Sequence, residues 1–213
     1  MKKILIKFFS NPLLIFLLRK IIQLLLKNPY IFKVQQRMNN YDVLANEFKN
    51  YLNNKNKNIL EIGCSTGNLA RAIIDMDGNT YCGIDISKKY IERATKDTPK
   101  GRFLHMDARK LDFEKELFDI VMLHSILHHV DDDVGKNCLK ETYRVLKKDG
   151  KVLLTEPTVD HNSFTSTIMC KLDRGEYIRK PEEYKNLFKD FLIERSGFFK
   201  NTGHKFCSFV LKK

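Results

Sequence analysis

Five short apolar runs constrain this chain more than any other feature: Ile59–Ile62, Thr80–Ile84, Arg102–His105, Ile120–Leu123 and Val152–Thr155. Helix-like patterns lie between them near Gly67–Met76, Ser87–Lys96 and Asp133–Lys147. Short strands alternating with helices predict an α/β fold, a mostly parallel sheet with helices on both faces. The closing stretches "FLIERSGFF" and "KFCSFVLKK" have no helix pattern between them and predict an antiparallel hairpin at the sheet edge. With 213 residues, the chain is long enough for one such domain and a short extension.

The loop after the first run, "EIGCSTGN", sits where a sheet of this kind binds ligands. Its glycines, Gly63 and Gly67, let backbone approach a ligand closely. It fails as a phosphate cradle. Asn68 and Leu69 follow Gly67 where a P-loop needs Lys and Ser or Thr, and Ser65 and Asn68 replace two glycines of the dinucleotide fingerprint. Carboxylates mark the strand ends instead. Glu61 precedes the loop, and Asp85 ends the second strand, where an acid can accept both hydroxyls of a ribose. Asp107 follows the third strand, and an ionised Asp there can accept an adenine amino hydrogen. Such an acid-rich site suits a cationic ligand.

Over roughly residues 40 to 213 the chain resembles the class I S-adenosylmethionine-dependent methyltransferases of small-molecule type. The resemblance rests on "LEIGCSTGN", "GIDIS", "HMDAR", "FDIVMLHSILHHV" and "VLKKDGKVLLTEP", in that order. It departs at Ser65 and Lys151, where glycines often stand. The resemblance implies a Rossmann-like sheet of seven strands and S-adenosyl-L-methionine as cofactor. Glu61 would meet the cofactor's amino group, and the backbone of Gly63, Cys64, Ser65 and Gly67 would pack on its methionine part. Asp85 would hold the ribose, Ile86 would cover the adenine, and Asp107 and Ala108 would hold its edge. His124 would offer backbone near the amino-acid end, and Tyr41 an aromatic ring over the cofactor.

His128 and His161 are the candidates for a general base, since an unperturbed imidazole titrates near neutrality. The acceptor pocket is expected in an insertion at 157–190, with Arg174 and Arg179 able to clamp an anion and His129 and Tyr177 beside them. No metal site is expected. The five cysteines are scattered and form no CxxC pair, as buried or free thiols of a cytoplasmic protein would be.

The expected divisions are an N-terminal helix within 1–28, a helical lead-in over 29–56 and the methyltransferase domain over 57–213. The first 41 residues hold eight Lys or Arg and no acid, two thirds of the net charge of +12. Asn11 and Pro12 punctuate a helix start there, and Lys20, Gln23 and Lys27 form a polar stripe on an otherwise apolar surface. The longest apolar run, Leu13 to Leu18, is too short to span a bilayer. This helix is a lid, a homodimer contact or an amphipathic element peripheral on the inner face of an anionic membrane. The expected acceptor is a small molecule, lipid-linked if the membrane alternative holds. Against it stand an RNA methyltransferase, which the positive charge suits, and a catalytically silent cofactor-binding scaffold. No recognisable RNA-binding motif supports a nucleic-acid partner.

Overall fold

The computed structural model describes residues 11–26, 28, 30–31, 41–52, 56–74, 78–159, 164–201 and 203–213. Lys27 of the expected polar stripe lies outside them, as does His161. In chain order the elements are α1 (Pro12–Leu25), α2 (Tyr41–Glu47), α3 (Lys49–Leu52), β1 (Asn58–Ile62), α4 (Asn68–Ile73), β2 (Thr80–Asp85), α5 (Lys88–Asp97) and β3 (Arg102–His105). There follow β4 (Phe118–His124), a 3-10 turn (Leu127–His129), α6 (Asp132–Val145), β5 (Leu146–Thr158), α7 (Phe164–Leu172), α8 (Pro181–Lys185), β6 (Leu192–Asn201) and β7 (His204–Lys212).

The seven strands form one sheet in the order β3-β2-β1-β4-β5-β7-β6. β1 lies between β2 and β4, and all pairings from β3 to β5 are parallel. Successive residues of these strands point to opposite faces and feed two separate cores. Leu60, Ile62, Ile84, Val121 and Leu123 pack on one side, and Ile59, Tyr81, Ile120 and Met122 on the other. Burial on both faces is why the strands read as unbroken apolar runs.

The expected hairpin is present, but only β6 lies at the edge. β7 is inserted between β5 and β6 and runs antiparallel to both. The helix pattern expected to reach Lys147 ends at Val145, because Leu146 pairs with Phe118 and opens a long β5. The cysteines are free, four of them buried and Cys170 half-buried.

Helix starts are capped where the sequence places short polar side chains. Asn11 Oδ1 accepts the N–H of Leu13 and Leu14 at 3.0 and 3.2 Å, with Pro12 in the first turn. Ser87 caps α5 through Tyr90, and Asp131 caps α6 through Val134. Among the described residues no helix is long and apolar enough to cross a membrane.

α1 lies against the domain. Arg19 Nη2 donates to the Gly175 carbonyl at 3.2 Å, and the Tyr90 hydroxyl donates to the Leu26 carbonyl at 3.0 Å. Leu13, Phe16, Leu17, Ile21 and Leu24 remain exposed on its surface.

Candidate active site

A cavity of about 930 Å³ opens at the carboxyl ends of the parallel strands. Its volume falls in the upper range of small-molecule sites. Tyr41, Glu61, Gly63, Cys64, Ser65, Asp85, Ile86, Asp107, Ala108, His124, His128, His129 and Arg174 line it. Gly67, Tyr177 and Arg179 do not line it.

The loop between β1 and α4 is shaped by left-handed backbone. Gly63 and Gly67 have φ of 72°, and Ser65 has φ of 53°. At Gly63 the left-handed φ favours glycine, and a Cβ added there would lie 1.8 Å from Ile126 Cδ1, so that side chain would have to turn away. Gly67 shares the left-handed φ, and a Cβ added there would lie 3.1–3.2 Å from Phe103 and Ala94 at the start of α4.

Asp85 ties this loop to the end of β2. One carboxylate oxygen accepts the Ser65 N–H at 3.0 Å and the other the Ser87 N–H at 2.8 Å. Burial pushes its pKa up, against the pull of these two N–H groups. Glu61 is buried beside it. Burial raises its pKa to about 7 and Asp85 adds to the rise, although the Tyr81 hydroxyl donates a hydrogen bond to Glu61 that favours the charged form. Tyr81 is a partner that sequence reading missed, since it lies one strand away behind the site. The Cys64 thiol is pushed far above its ordinary range, chiefly by burial.

Asp107 is already engaged. Its two oxygens accept four bonds from Arg109, at 2.6–3.1 Å, and these hold its pKa below the usual value. His124 points inward, with Nδ1 2.6 Å from Thr155 Oγ1 and its ring 5.8 Å from Phe206 and 6.3 Å from Tyr41. Burial pushes its pKa down to about 4, so its side chain is neutral at physiological pH.

The other half of the cavity is built around His128. Its Nδ1 lies 2.7 Å from Glu156 Oε2, and its Nε2 lies 3.3 Å from Asp173 Oδ1. Burial alone would lower its pKa, but the hydrogen bonds to Asp173 and Glu156 and their charges raise it to about 9. His128 therefore stands protonated at neutral pH with both ring nitrogens paired. This corrects the expectation of a free general base at His128. Glu156 also accepts the N–H groups of Ile126, Leu127 and His128 at 2.7–3.2 Å, which fixes the turn after β4. Asp173 accepts the Gly175 N–H at 2.6 Å. The sequence signal for Glu156 is a lone acid within the apolar run "KVLLTEP". Asn201, His204 and Phe206 complete this half from β6 and β7.

The expected anion clamp of Arg174 and Arg179 is not formed. Arg174 lines the cavity, whereas Arg179 is buried behind it. The Arg179 guanidinium donates to Asp132 at 2.7 and 3.0 Å and to the carbonyls of Leu127, Val130 and Tyr177 at 2.7–3.0 Å. It holds the 3-10 turn to the start of α6. Tyr177 turns outward, its N–H donating to the His128 carbonyl at 2.9 Å.

Residues 59–150 match the family model described as a methyltransferase domain. Fold, strand-end acids and that match together support a class I S-adenosylmethionine-dependent methyltransferase domain. The chain is 28% identical to a demethylmenaquinone methyltransferase of Chlorobaculum tepidum, over 68% of this chain and 52% of that protein. It is 29% identical to a sterol 24-C-methyltransferase of Debaryomyces hansenii, over 68% of this chain and 40% of that protein. The chain thus spans about half the length of these curated relatives. A SAM-dependent methyltransferase from Aquifex aeolicus has the same fold, with a TM-score of 0.66 at 13% identity over 87% of this chain and 99% of that one.

S-adenosylmethionine is the cofactor such a domain implies, and the residues present fit it. The ligand is a cation, and two carboxylates, Glu61 and Asp85, face the cavity. The Ser65 hydroxyl is buried beside the loop with no hydrogen-bond partner among the described residues, an unused group of the kind a ligand satisfies.

Proposed function

We propose that this protein transfers a methyl group from S-adenosylmethionine to an apolar small-molecule acceptor that reaches it from a membrane surface. One observation carries the reading. A single cavity runs from the loop after β1 to the underside of α1, where Ile22, Leu25 and Leu26 form part of its wall. The same helix leaves Leu13, Phe16, Leu17, Ile21 and Leu24 exposed outward. An exposed apolar helix face beside the exposed Lys20 suits an anionic bilayer. The relatives named for demethylmenaquinone and for sterol 24-C methylation support an apolar acceptor.

When bound, S-adenosylmethionine supplies an activated methyl group on its sulfonium. The chain's own residues bind and orient. Asp85 and Glu61 hold the cationic cofactor, and Ser65 offers its hydroxyl. Asp107 and Ala108 form the wall for the adenine, and Ile86 covers it. Tyr41 and His124 wall the passage between the two halves. His128, held through both ring nitrogens by Glu156 and Asp173, fixes the wall of the acceptor half without serving as a free proton acceptor. His129 and Arg174 face the acceptor. Alignment behind the methyl group accounts for most of the rate such a site provides.

The test is methyl transfer from tritium-labelled cofactor to a cell extract that includes membranes. Label in the apolar lipid fraction is the expected outcome, and label in RNA would overturn the reading in favour of a nucleic-acid acceptor. Co-sedimentation with vesicles containing anionic lipid, with and without residues 1–28, tests the surface. The full chain should pellet and the shortened chain should not; equal solubility would make α1 a lid or a contact between copies.

A further inference from the structure

The acceptor half of the cavity contains a convergence of metal-binding side chains that methyl transfer by itself does not require. His128 and His129 come from the turn after β4, Asp173 from the segment after α7, and His204 from the first residue of β7. One ligand atom each from His128, His129 and Asp173 lie within 4.8 Å of one another. His204 Nε2 lies 4.0 Å from Asp173 Oδ2. That nitrogen is buried and has no hydrogen-bond partner among the described residues.

We propose that His128, His129, His204 and Asp173 form a binding site for one divalent transition-metal ion. The geometry of His128 favours this assignment. Its Nδ1 is engaged by the Glu156 carboxylate at 2.7 Å, which fixes the ring and presents Nε2 toward Asp173. A carboxylate behind the ligating imidazole is the usual outer partner of a metal-bound histidine. Tetrahedral metal–nitrogen bonds of about 2.1 Å put neighbouring ligand atoms roughly 3.4 Å apart. The distance of 3.3 Å from His128 Nε2 to Asp173 Oδ1 already meets this, and His204 Nε2 approaches the other carboxylate oxygen, Asp173 Oδ2, at 4.0 Å. The metal takes the place of the proton between His128 and Asp173.

Three imidazoles and one carboxylate select a borderline ion such as Zn²⁺, Fe²⁺ or Co²⁺ over the all-oxygen sites of Mg²⁺ and Ca²⁺. All four residues line the cavity, so an acceptor oxygen can join the coordination as a further ligand. A metal-bound hydroxyl loses its proton far more readily than a free one. That role rests on the methyltransferase reading, whereas the metal site itself does not.

The experiment uses the full chain, stripped with a chelator and titrated with Co²⁺ while visible absorption is recorded. One Co²⁺ per chain is expected, with the intense bands of a four- or five-coordinate ion, and Zn²⁺ should displace it. His129→Ala and His204→Gln should each weaken Co²⁺ binding about tenfold or more. Both side chains lie at the cavity wall, and a melting curve for each variant confirms its fold. No saturable binding by the unaltered chain, or unchanged affinity in both folded variants, overturns the site. S-adenosylmethionine binding is measured on the same samples by calorimetry. Its absence in the unaltered chain would count against the methyltransferase reading and leave the metal result standing.

Discussion

Asp85 accepts the backbone N–H of Ser65 at 3.0 Å, and so the acid ending β2 holds the middle of the loop that follows β1. The carboxylate expected to face the cofactor thus also shapes the loop that faces it. Asp85→Ala removes both contributions at once. Cofactor affinity should fall about 10- to 100-fold, the loss of one or two charge-assisted hydrogen bonds. Calorimetric titration with S-adenosylmethionine checks this, and undiminished affinity would remove Asp85 from the site.

Ser65 carries a backbone strain that glycine would not. Its φ of 53° is left-handed, a conformation that costs an ordinary residue about 1 kcal/mol. Ser65→Gly should therefore leave the fold as stable or raise its stability by up to that amount, read from urea unfolding. The same variant loses the buried hydroxyl that has no partner among the described residues. Cofactor binding should weaken severalfold, and tighter binding would mean that the hydroxyl hinders the ligand.

Glu61 makes stability depend on pH in the direction opposite to most carboxylates. Its folded pKa of about 7 lies above the ordinary 4.5, owing first to burial and then to Asp85, against the Tyr81 hydrogen bond. Between those values the folded chain holds a proton that the unfolded chain has lost. The contribution of Glu61 is therefore greatest below pH 4.5 and is lost as pH rises through 7, by on the order of 3 kcal/mol. Glu61→Gln should flatten this part of the stability profile. Equal slopes for the two proteins between pH 5 and 7, in chemical unfolding, would show that Glu61 is charged throughout.

Arg179 should prove structural. Arg179→Ala leaves the carbonyls of Leu127, Val130 and Tyr177 without their donor and should cost about 2–4 kcal/mol of unfolding free energy. Arg179→Lys keeps the charge but not the planar fork, and should recover only part of that loss. Cofactor affinity of the folded fraction should be unchanged. A loss of affinity without loss of stability would return Arg179 to the ligand site.

The fold was legible because its signal is local. Each buried strand is a short apolar run with an acid close to its end: Glu61 inside the first run, Asp85 directly after the second and Asp107 two residues after the third. The half of the cavity around His128 was hidden because its contacts join distant segments. Nothing near His128 in sequence announces that Glu156 and Asp173 will hold both its nitrogens. Arg179 looked like a surface clamp because charge pattern does not reveal burial. His204 and Phe206 come to the cavity only because β7 inserts beside β5, and a pattern of hydrophobicity does not fix strand order. α1 was legible at its start, through Asn11 and Pro12, while the seat of Arg19 on Gly175 depends on a partner 156 residues away.

The position of β7 has a consequence for how the chain is made. β7 is the last described strand to leave the ribosome, yet it lies inside the sheet with β5 on one side and β6 on the other. Until residues 204–212 emerge, β5 presents an open hydrogen-bonding edge, and the apolar surface that Phe209, Val210 and Leu211 will cover stays bare. Such an edge readily pairs with other chains. The nascent protein therefore remains prone to association until β7 has emerged, and a chaperone that shelters the β5 edge before then would raise its yield more than one acting afterwards.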